Sequence, residues 1–271
     1  MEEMNSGTPE YAEESSMSLM EKLVSIISSP GKVFTAIAGG VTWRDWVYPL
    51  IVALVFSGAA GIVQAPYSLK VSKSIIEAQK AHFLNNDMPQ QQKENIQKRF
   101  DKQLQKNEEK LTPPRVYYWS YIKALIGLVL SILLLSVLYY FGGNTILGGE
   151  SSFQKVLAMV SLPQIITAIA SVYTIVMVWL THSATVPTSL AAILPYDMSQ
   201  LMSLEKYQRA LFTLLSQIDV FTLWRLTLFT IGFQIIFKVT RGKAIAVIFG
   251  YWVLWLIITT GATFIFAGFG G

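Results

Sequence analysis

Residues 219–255 read DVFTLWRLTLFTIGFQIIFKVTRGKAIAVIFGYWVLW. The stretch contains one apolar run, 220–237, and the start of a second, 244–266, separated by the short basic connector KVTRGK at 238–243. Each run is long enough to cross a hydrocarbon core of about 30 Å, because an α-helix rises about 1.5 Å per residue. A connector this short makes the two helices antiparallel neighbours. The stretch therefore predicts a membrane-spanning helical hairpin.

The composition of the whole chain also indicates a membrane protein. Of its 271 residues, 52% are hydrophobic and only 14% are charged, whereas soluble domains carry about 25% charged residues. The net charge of +4 comes without a cluster of basic and aromatic residues, so we expect no nucleic-acid partner. The absence of cysteine excludes disulfides, thiolate metal sites and cysteine nucleophiles.

The N-terminal part of the chain divides into a tail and two short amphipathic segments. Residues 1–16 are acidic and nearly free of aliphatic side chains, which predicts a disordered tail. Residues 17–45 carry apolar side chains at helical spacing, and Ser29-Pro30 is typical of a helix start. Because neither segment is long enough to span, we expect both to be amphipathic helices in the membrane interface. Short helices packed under the bundle are an equal alternative.

Residues 46–271 are predicted to form a five-span membrane domain. A long loop connects its first two spans. The first span, 47–64, follows Trp43 and Trp46, which mark the depth of the headgroups. The loop, residues 65–119, is predicted to be a soluble helical excursion, because apolar side chains recur in it at helical spacing among charged ones.

Within this excursion a turn at 85–89 separates two predicted helices, 68–84 and 90–110. One interpretation is a partner-binding helical hairpin. The other is a solvated hairpin that caps the bundle or connects two spans, and charged amphipathic helices of this kind favour it.

The second and third spans are predicted at 121–141 and 156–180, with the glycine pairs 142–143 and 148–149 in the short turn between them. Pro163 lies inside the third span and is expected to kink it or break it locally. A second, more apolar excursion, 181–217, is expected to lie at the interface. With the C-terminal hairpin, the fold class is an all-α polytopic bundle of five transmembrane helices with interfacial N-terminal helices.

Five crossings place the two termini on opposite sides of the membrane. The ten Lys and Arg residues in 65–119 favour an outside N-terminus by count, but six acidic residues are interleaved with them. This segment is also near the length of about 60 residues beyond which loops translocate regardless of charge. The basic turn 238–243 is the cleaner signal, and it predicts a cytoplasmic N-terminus in a multi-pass protein of the plasma membrane.

Several short motifs in the chain match one known pattern. They are Ser29-Pro30, Val33-Phe34, Trp46, Pro49-Leu50, Gly149, Ser152-Phe153, Pro163, Asp219, Leu223-Trp224, Ile231-Gly232, Lys238-Val239 and Gly242-Lys243-Ala244. Over about residues 28–268 the chain resembles the prokaryotic members of the Yip family, whose eukaryotic members are named for interacting with Ypt/Rab GTPases. The resemblance implies five spans and a polytopic scaffold, linked in eukaryotes to vesicle traffic and membrane shaping.

No catalytic constellation is present in the sequence. His82 and His182 each stand alone, and the spacings of zinc proteases, nucleophile elbows and phosphate-binding loops do not occur. We therefore expect a protein that is not an enzyme and that carries no cofactor and no metal.

Two ionisable residues near the start of span four define a candidate polar intramembrane site. Asp219 precedes the span and Arg225 lies within it, where a charge is costly and indicates a functional site. Their six-residue offset puts them on different helix faces, so we expect no direct pair. In the alternative, Asp219 caps the helix and Arg225 extends to the headgroups. The side chains that could line the site with them are Gln164, Gln234, Thr227 and Thr230.

Two functions remain open from the sequence alone. The first is a non-enzymatic membrane scaffold or organiser that acts through helix packing and through the wedge volume of its interfacial helices. Its partners would be the lipid bilayer, other membrane proteins and a second copy of the chain. The alternative is a transporter or channel for a small solute or an ion, with a polar site around Arg225 and Asp219.

Overall fold

A computed structural model describes residues 17–85, 89–111, 115–183, 186–195 and 204–266. Five of its helical segments are long and apolar enough to cross a membrane, which confirms the predicted all-α, five-span fold class. The tail predicted at 1–16 lies outside the described residues. In chain order the α-helices are α1 (Leu19–Ser28), α2 (Pro30–Gly39), α3 (Arg44–Leu84), α4 (Gln90–Leu111), α5 (Arg115–Tyr140), α6 (Phe153–Ser161), α7 (Ile165–Thr181), α8 (Lys206–Ser216), α9 (Val220–Phe237) and α10 (Arg241–Phe266).

Each of the N-terminal helices α1 and α2 has its own start signal. Ser18 caps α1 by accepting a hydrogen bond from the backbone N–H of Glu21 at 3.2 Å. Pro30 occupies the first position of α2, where a missing N–H costs nothing. The two helices pack against the bundle, α2 mainly against α9. They contribute four fully buried side chains to the core, which are Ile26, Val33, Phe34 and Ile37.

Helix α3 corrects the predicted end of the first span. The sequence predicted a span over 47–64 and a separate helix over 68–84, whereas the structure has one helix of 41 residues. Pro66 lies inside this helix. A proline removes one backbone donor, which a packed membrane helix tolerates because neighbouring groups satisfy the freed carbonyl. The first part of the predicted excursion is therefore a direct extension of span one.

Helix α4 runs back along this outer part of α3. Lys80 of α3 lies 2.8 Å from the carboxylate of Asp101 in α4, and the rings of Phe83 and Phe100 are 5.9 Å apart between centroids. The two helices thus form the helical hairpin that the sequence predicted. Because its ion pairs are exposed, they add little stability, and the apolar contacts between the helices matter more.

The sequence predicted a turn over both glycine pairs, 142–143 and 148–149, whereas helix α5 continues through the first pair as a π-helical segment, Phe141–Ile146. Gly143 faces the ring of Phe237 with no room for a side chain. The chain turns at the second predicted pair, at Gly148, whose φ of +67° suits a residue without a Cβ. Gly143 therefore serves a close helix contact instead of a turn, and a contact of this kind cannot be read from local sequence.

The third span lies at the centre of the bundle. A 3-10 turn, Leu162–Gln164, interrupts it between α6 and α7 at the position of Pro163. In the most apolar stretch of this span 72% of the residues are buried, compared with 44% in α9, 22% in α3 and 17% in both α5 and α10. The other spans therefore surround α6 and α7, and the outer faces of α3, α5 and α10 are left for lipid.

A short helix covers the end of the bundle where α9 begins. Helix α8 starts with a capping box in which the side chains of Glu205 and Gln208 bond reciprocally to the backbone. It packs along α10 and against a 3-10 turn, Leu190–Ile193. Next to that turn, Ser189 pairs with Asp219 through an isolated backbone bridge. The loop before α9 is thereby fixed to the start of the fourth span.

Candidate functional site

Asp219 closes the N-terminus of α9. Its Oδ1 accepts hydrogen bonds from the backbone N–H groups of Phe221 at 2.9 Å and Thr222 at 3.0 Å, which have no partner within the first turn of a helix. The hydroxyl of Thr222 donates to the other carboxylate oxygen. Asp219 is thus an N-cap, the role that the alternative interpretation of the sequence gave it.

Arg225 lies further along α9 and is held by two hydroxyl groups. Its Nη2 donates to the Thr222 hydroxyl at 3.2 Å, and its Nη1 donates to the Thr167 hydroxyl of α7 at 3.2 Å. Thr222 therefore lies between the carboxylate of Asp219 and the guanidinium. The two charged groups are joined through this hydroxyl and not by a direct ion pair, in agreement with their six-residue offset.

The hydrogen-bonded chain continues through the interrupted third span. The Thr167 hydroxyl donates to Oε1 of Gln164 at 3.0 Å, and the buried Gln164 donates to the carbonyl of Val160 at 3.3 Å. Ser171 donates to the carbonyl of Thr167 at 2.8 Å, and its hydroxyl lies 3.5 Å from that of Ser57 in α3. Polar groups thus connect α3, α7 and α9. We call Asp219, Thr222, Arg225, Thr167 and Gln164 the polar chain.

Gln234, Thr227 and Thr230 do not join the polar chain. They line a separate groove of about 430 Å³ between α9 and α10. The hydroxyls of Thr227 and Thr230 donate to backbone carbonyls of α9 itself, at 2.9 Å and 2.8 Å. The structure therefore connects the other predicted site residues with one another and separates these three from them.

A larger cavity, of about 1070 Å³, lies at the end of the bundle where α9 begins. Arg225 lines neither this cavity nor the smaller groove. Ser189 lines the cavity and is paired with the backbone of Asp219, so the polar chain starts beside the cavity wall. None of the described lining residues is charged. The polar ones are Gln64, Ser68, Ser72, Gln79, Gln103, Asn107, Thr181, Ser189 and Ser216.

The polar chain is better suited to holding helices together than to catalysis. Thr167 and Thr222 each donate one hydrogen bond and accept one from Arg225. Their capacity is largely used inside the protein, and interhelical hydrogen bonds of this kind stabilise membrane bundles. Among the described residues, no three His, Asp or Glu side chains come together in a way that could hold a metal.

A comparison with known protein families gives one match for this chain. The family model described as the Yip1 domain matches residues 24–263, nearly the whole chain. The chain belongs to the Yip1 domain family. The resemblance seen in its short motifs is thereby confirmed. No curated protein and no solved structure matches this Yip1 domain chain.

Two members of the polar chain of this Yip1 domain, Thr222 and Thr167, are not among the site residues predicted from the sequence. Thr222 lies three residues after Asp219 and three before Arg225, and Thr167 lies three residues after Gln164. Since positions i and i+3 share a helix face, these spacings reveal two polar stripes. That the stripes face each other depends on how α7 and α9 pack, which spacing does not show.

A buried ion pair lies at the opposite end of the Yip1 domain from Asp219, and it was not predicted from the sequence either. The Nζ of Lys22 in α1 lies 2.7 Å from Oδ1 of Asp45 in α3, and the two side chains are 11% and 2% exposed. The second carboxylate oxygen accepts from the backbone N–H and the hydroxyl of Thr42, at 2.7 Å and 3.0 Å. The pair fixes α1 to the beginning of span one.

Proposed function

We propose that this Yip1 domain protein is a non-enzymatic scaffold of the plasma membrane that shapes or organises the bilayer through its N-terminal helices. The observation that supports this most directly is the division of α1 into two apolar faces. One face is docked on the bundle through Ile26. The other presents Met20, Val24 and Ile27, which are 70%, 62% and 41% exposed. Their spacing of four and three residues places them on one side of the helix.

An outward apolar face of this kind is unfavourable in water and favourable at the boundary between headgroups and acyl chains. The docked face is already covered by protein, so the outward face is the one available to lipid. In this proposal α1 inserts its outward face into one leaflet and adds volume to that leaflet alone. A scaffold of this type acts as a wedge.

The wedge helix α1 and the following helix α2 are fixed to the membrane-spanning helices at three points. The first is the Lys22–Asp45 ion pair. The second is Phe34, which packs so closely on Gly232 that a Cβ there would lie 2.9 Å from the ring. The third is Lys155, whose Nζ donates to the carbonyl of Ala38 at 2.5 Å. Because α1 and α2 are held in this way, bilayer shape around α1 is coupled to the position of the spans.

The charges around this end support an assignment of the side of the membrane. Phe34 contacts Gly232 in the C-terminal part of α9, so the wedge lies at the end where α9 turns into α10. That turn carries Lys238, Arg241 and Lys243, all exposed. Under the positive-inside rule we assign this end, and with it the N-terminus, to the cytoplasm.

The proposal is tested by replacing the three outward side chains with serine, in the variant M20S/V24S/I27S. Each change removes about 1 kcal/mol of apolar burial in the interface, roughly 3 kcal/mol in total. We expect vesicles reconstituted with the variant to lose the shape change that the parent chain produces in electron micrographs. The fold should be unaffected, since none of the three side chains lies in the core.

The matched control is M20L/V24I/I27V, which keeps the face apolar and should remodel vesicles as the parent chain does. If the serine variant also remodels them to the same extent, the wedge is not the working part of the molecule and the proposal is wrong.

Transport of a small solute or an ion is a second candidate, favoured by the contact between the large cavity and the polar chain. A solute in the cavity would meet the start of the polar chain at Ser189 and Asp219. In that case R225A should abolish flux into proteoliposomes. T227A changes a hydroxyl on the other side of α9 and should leave the flux intact. A flux that R225A does not alter would remove this candidate.

A further inference from the structure

The groove between α9 and α10 combines a cation, an unpaired amide and apolar walls in one short stretch. Arg241 and Gln234 line it near the turn between the helices, while Thr227 and Phe249 line it deeper in the span. Gln234 and Thr227 are separated by about 10 Å along the helix axis. We infer that this groove binds the headgroup region and the upper acyl chain of one anionic phospholipid.

Arg241 supplies the charge at the mouth of the groove. It is the first residue of α10, its side chain is exposed, and it takes part in no ion pair within the described residues. Lys238 and Lys243 are exposed on the same turn, and the lining of the groove contains no acidic side chain. A guanidinium binds a phosphate through paired hydrogen bonds, and neighbouring lysines favour a headgroup of net negative charge.

Gln234 supplies a hydrogen-bonding group inside the groove. It lies one turn inside the end of α9, where its amide offers two donors and an acceptor site. Within the described residues that amide forms no hydrogen bond. A half-buried amide without a protein partner at the border of hydrocarbon is unfavourable. The phosphate and ester oxygens of a phospholipid lie at this depth and can accept from it.

The walls and the size of the groove exclude a purely polar ligand. Ile231, Ile245 and Phe249 form its apolar lining, which a free phosphate would leave uncovered. A volume of about 430 Å³ falls within the range of about 300 to 1,000 Å³ typical of small-molecule sites. It accommodates a headgroup with the first part of an acyl chain.

The test uses the full chain, delipidated in an uncharged detergent, with native mass spectrometry and thermal shift as readouts. We expect one phosphatidylglycerol to bind more tightly than phosphatidylcholine and to raise the melting temperature. R241Q should weaken phosphatidylglycerol binding roughly five- to tenfold, the effect of losing one cation near a headgroup. Q234L should also weaken it. K243Q removes the same charge from the same turn outside the groove and should weaken binding less than R241Q.

Three results would overturn the inference. Equal losses in R241Q and K243Q would indicate general attraction to a basic turn. Equal affinity for phosphatidylcholine would exclude a preference for anionic lipid. Stabilisation by soluble glycerol phosphate to the same extent would identify a phosphate site without a lipid. None of these variants touches the outward face of α1, so this inference and the scaffold proposal succeed or fail separately.

Discussion

In the most apolar stretch of the third span, formed by α6 and α7, 72% of the residues are buried, whereas only 17% are buried in α10. The inner span carries polar side chains at helical spacing, namely Gln164, Thr167 and Ser171. The outer span presents large apolar side chains outward, with Leu254 52% and Ile257 64% exposed. Both segments cross the membrane, but their surroundings within it differ.

The difference between the two spans follows from the solvent. Lipid tails are as apolar as leucine, so an outward leucine costs nothing and gains nothing when it is covered by protein. A polar side chain has no partner in lipid and therefore lies inside the bundle. The inner span consequently carries the interactions that specify the bundle. The outer span mainly presents an apolar surface to the lipid tails.

The largest expected effect on stability is the difference between truncating one leucine of the inner third span and one leucine of the outer helix α10. L162A removes a fully buried side chain beside Pro163 and leaves a cavity, so it should lower the unfolding free energy by about 2 to 5 kcal/mol. L254A removes a lipid-facing side chain and should change it by less than about 0.5 kcal/mol. Unfolding of both variants in mixed detergent micelles measures the difference. Equal losses would show that the inner and outer spans do not differ in this way.

A smaller effect on stability is expected when a glycine is replaced by a residue with a large side chain. A Cβ at Gly232 would lie 2.7 Å from Met159 and 2.9 Å from Phe34, whereas nothing lies within 4 Å of one at Gly250 in α10. G232L should therefore destabilise the protein by about 1 to 3 kcal/mol through overpacking. G250L should be neutral or slightly stabilising, because leucine favours a helix more than glycine does. The same micelle titration compares them, and a destabilised G250L would mean that this face of α10 is covered.

The smallest effect concerns the link between the inner span and α9. The hydrogen bond from Arg225 to Thr167 should give a coupling energy of about 0.6 to 1.7 kcal/mol in a double-mutant cycle of R225A and T167V. The cycle of R225A with T227V serves as the control, since Thr227 bonds within its own helix, and its coupling should be near zero. Without coupling in the first cycle, the polar chain would not connect the two helices.

The sequence predicted the spans well because a run of apolar residues is itself the signal for crossing a bilayer. It did not predict where α3 ends, because a helix can continue out of the membrane with the same backbone conformation. The central position of the third span follows from long-range packing. A clue exists, since the third and fourth spans have the lowest mean hydropathy of the five and are also the most buried.

The candidate site was predictable in part for similar reasons. A charge inside an apolar run, such as Arg225, is visible in the sequence at once. Its partners Thr222 and Thr167 are common residues that gain their role only from the spacing within one helix and the position of another. The Lys22–Asp45 pair depends on the docking of α1, which no local pattern indicates.

Helix α3 has a mechanical consequence. It passes without a loop from Arg44, beside the Asp45 anchor of α1, to Leu84 at the tip of the α3–α4 hairpin. At about 1.5 Å per residue its 41 residues make a rod of about 60 Å, roughly twice the thickness of the hydrocarbon core. A lateral displacement of the hairpin tip would therefore tilt the membrane-spanning part of the same rod, and Pro66 is an expected place for this rod to bend.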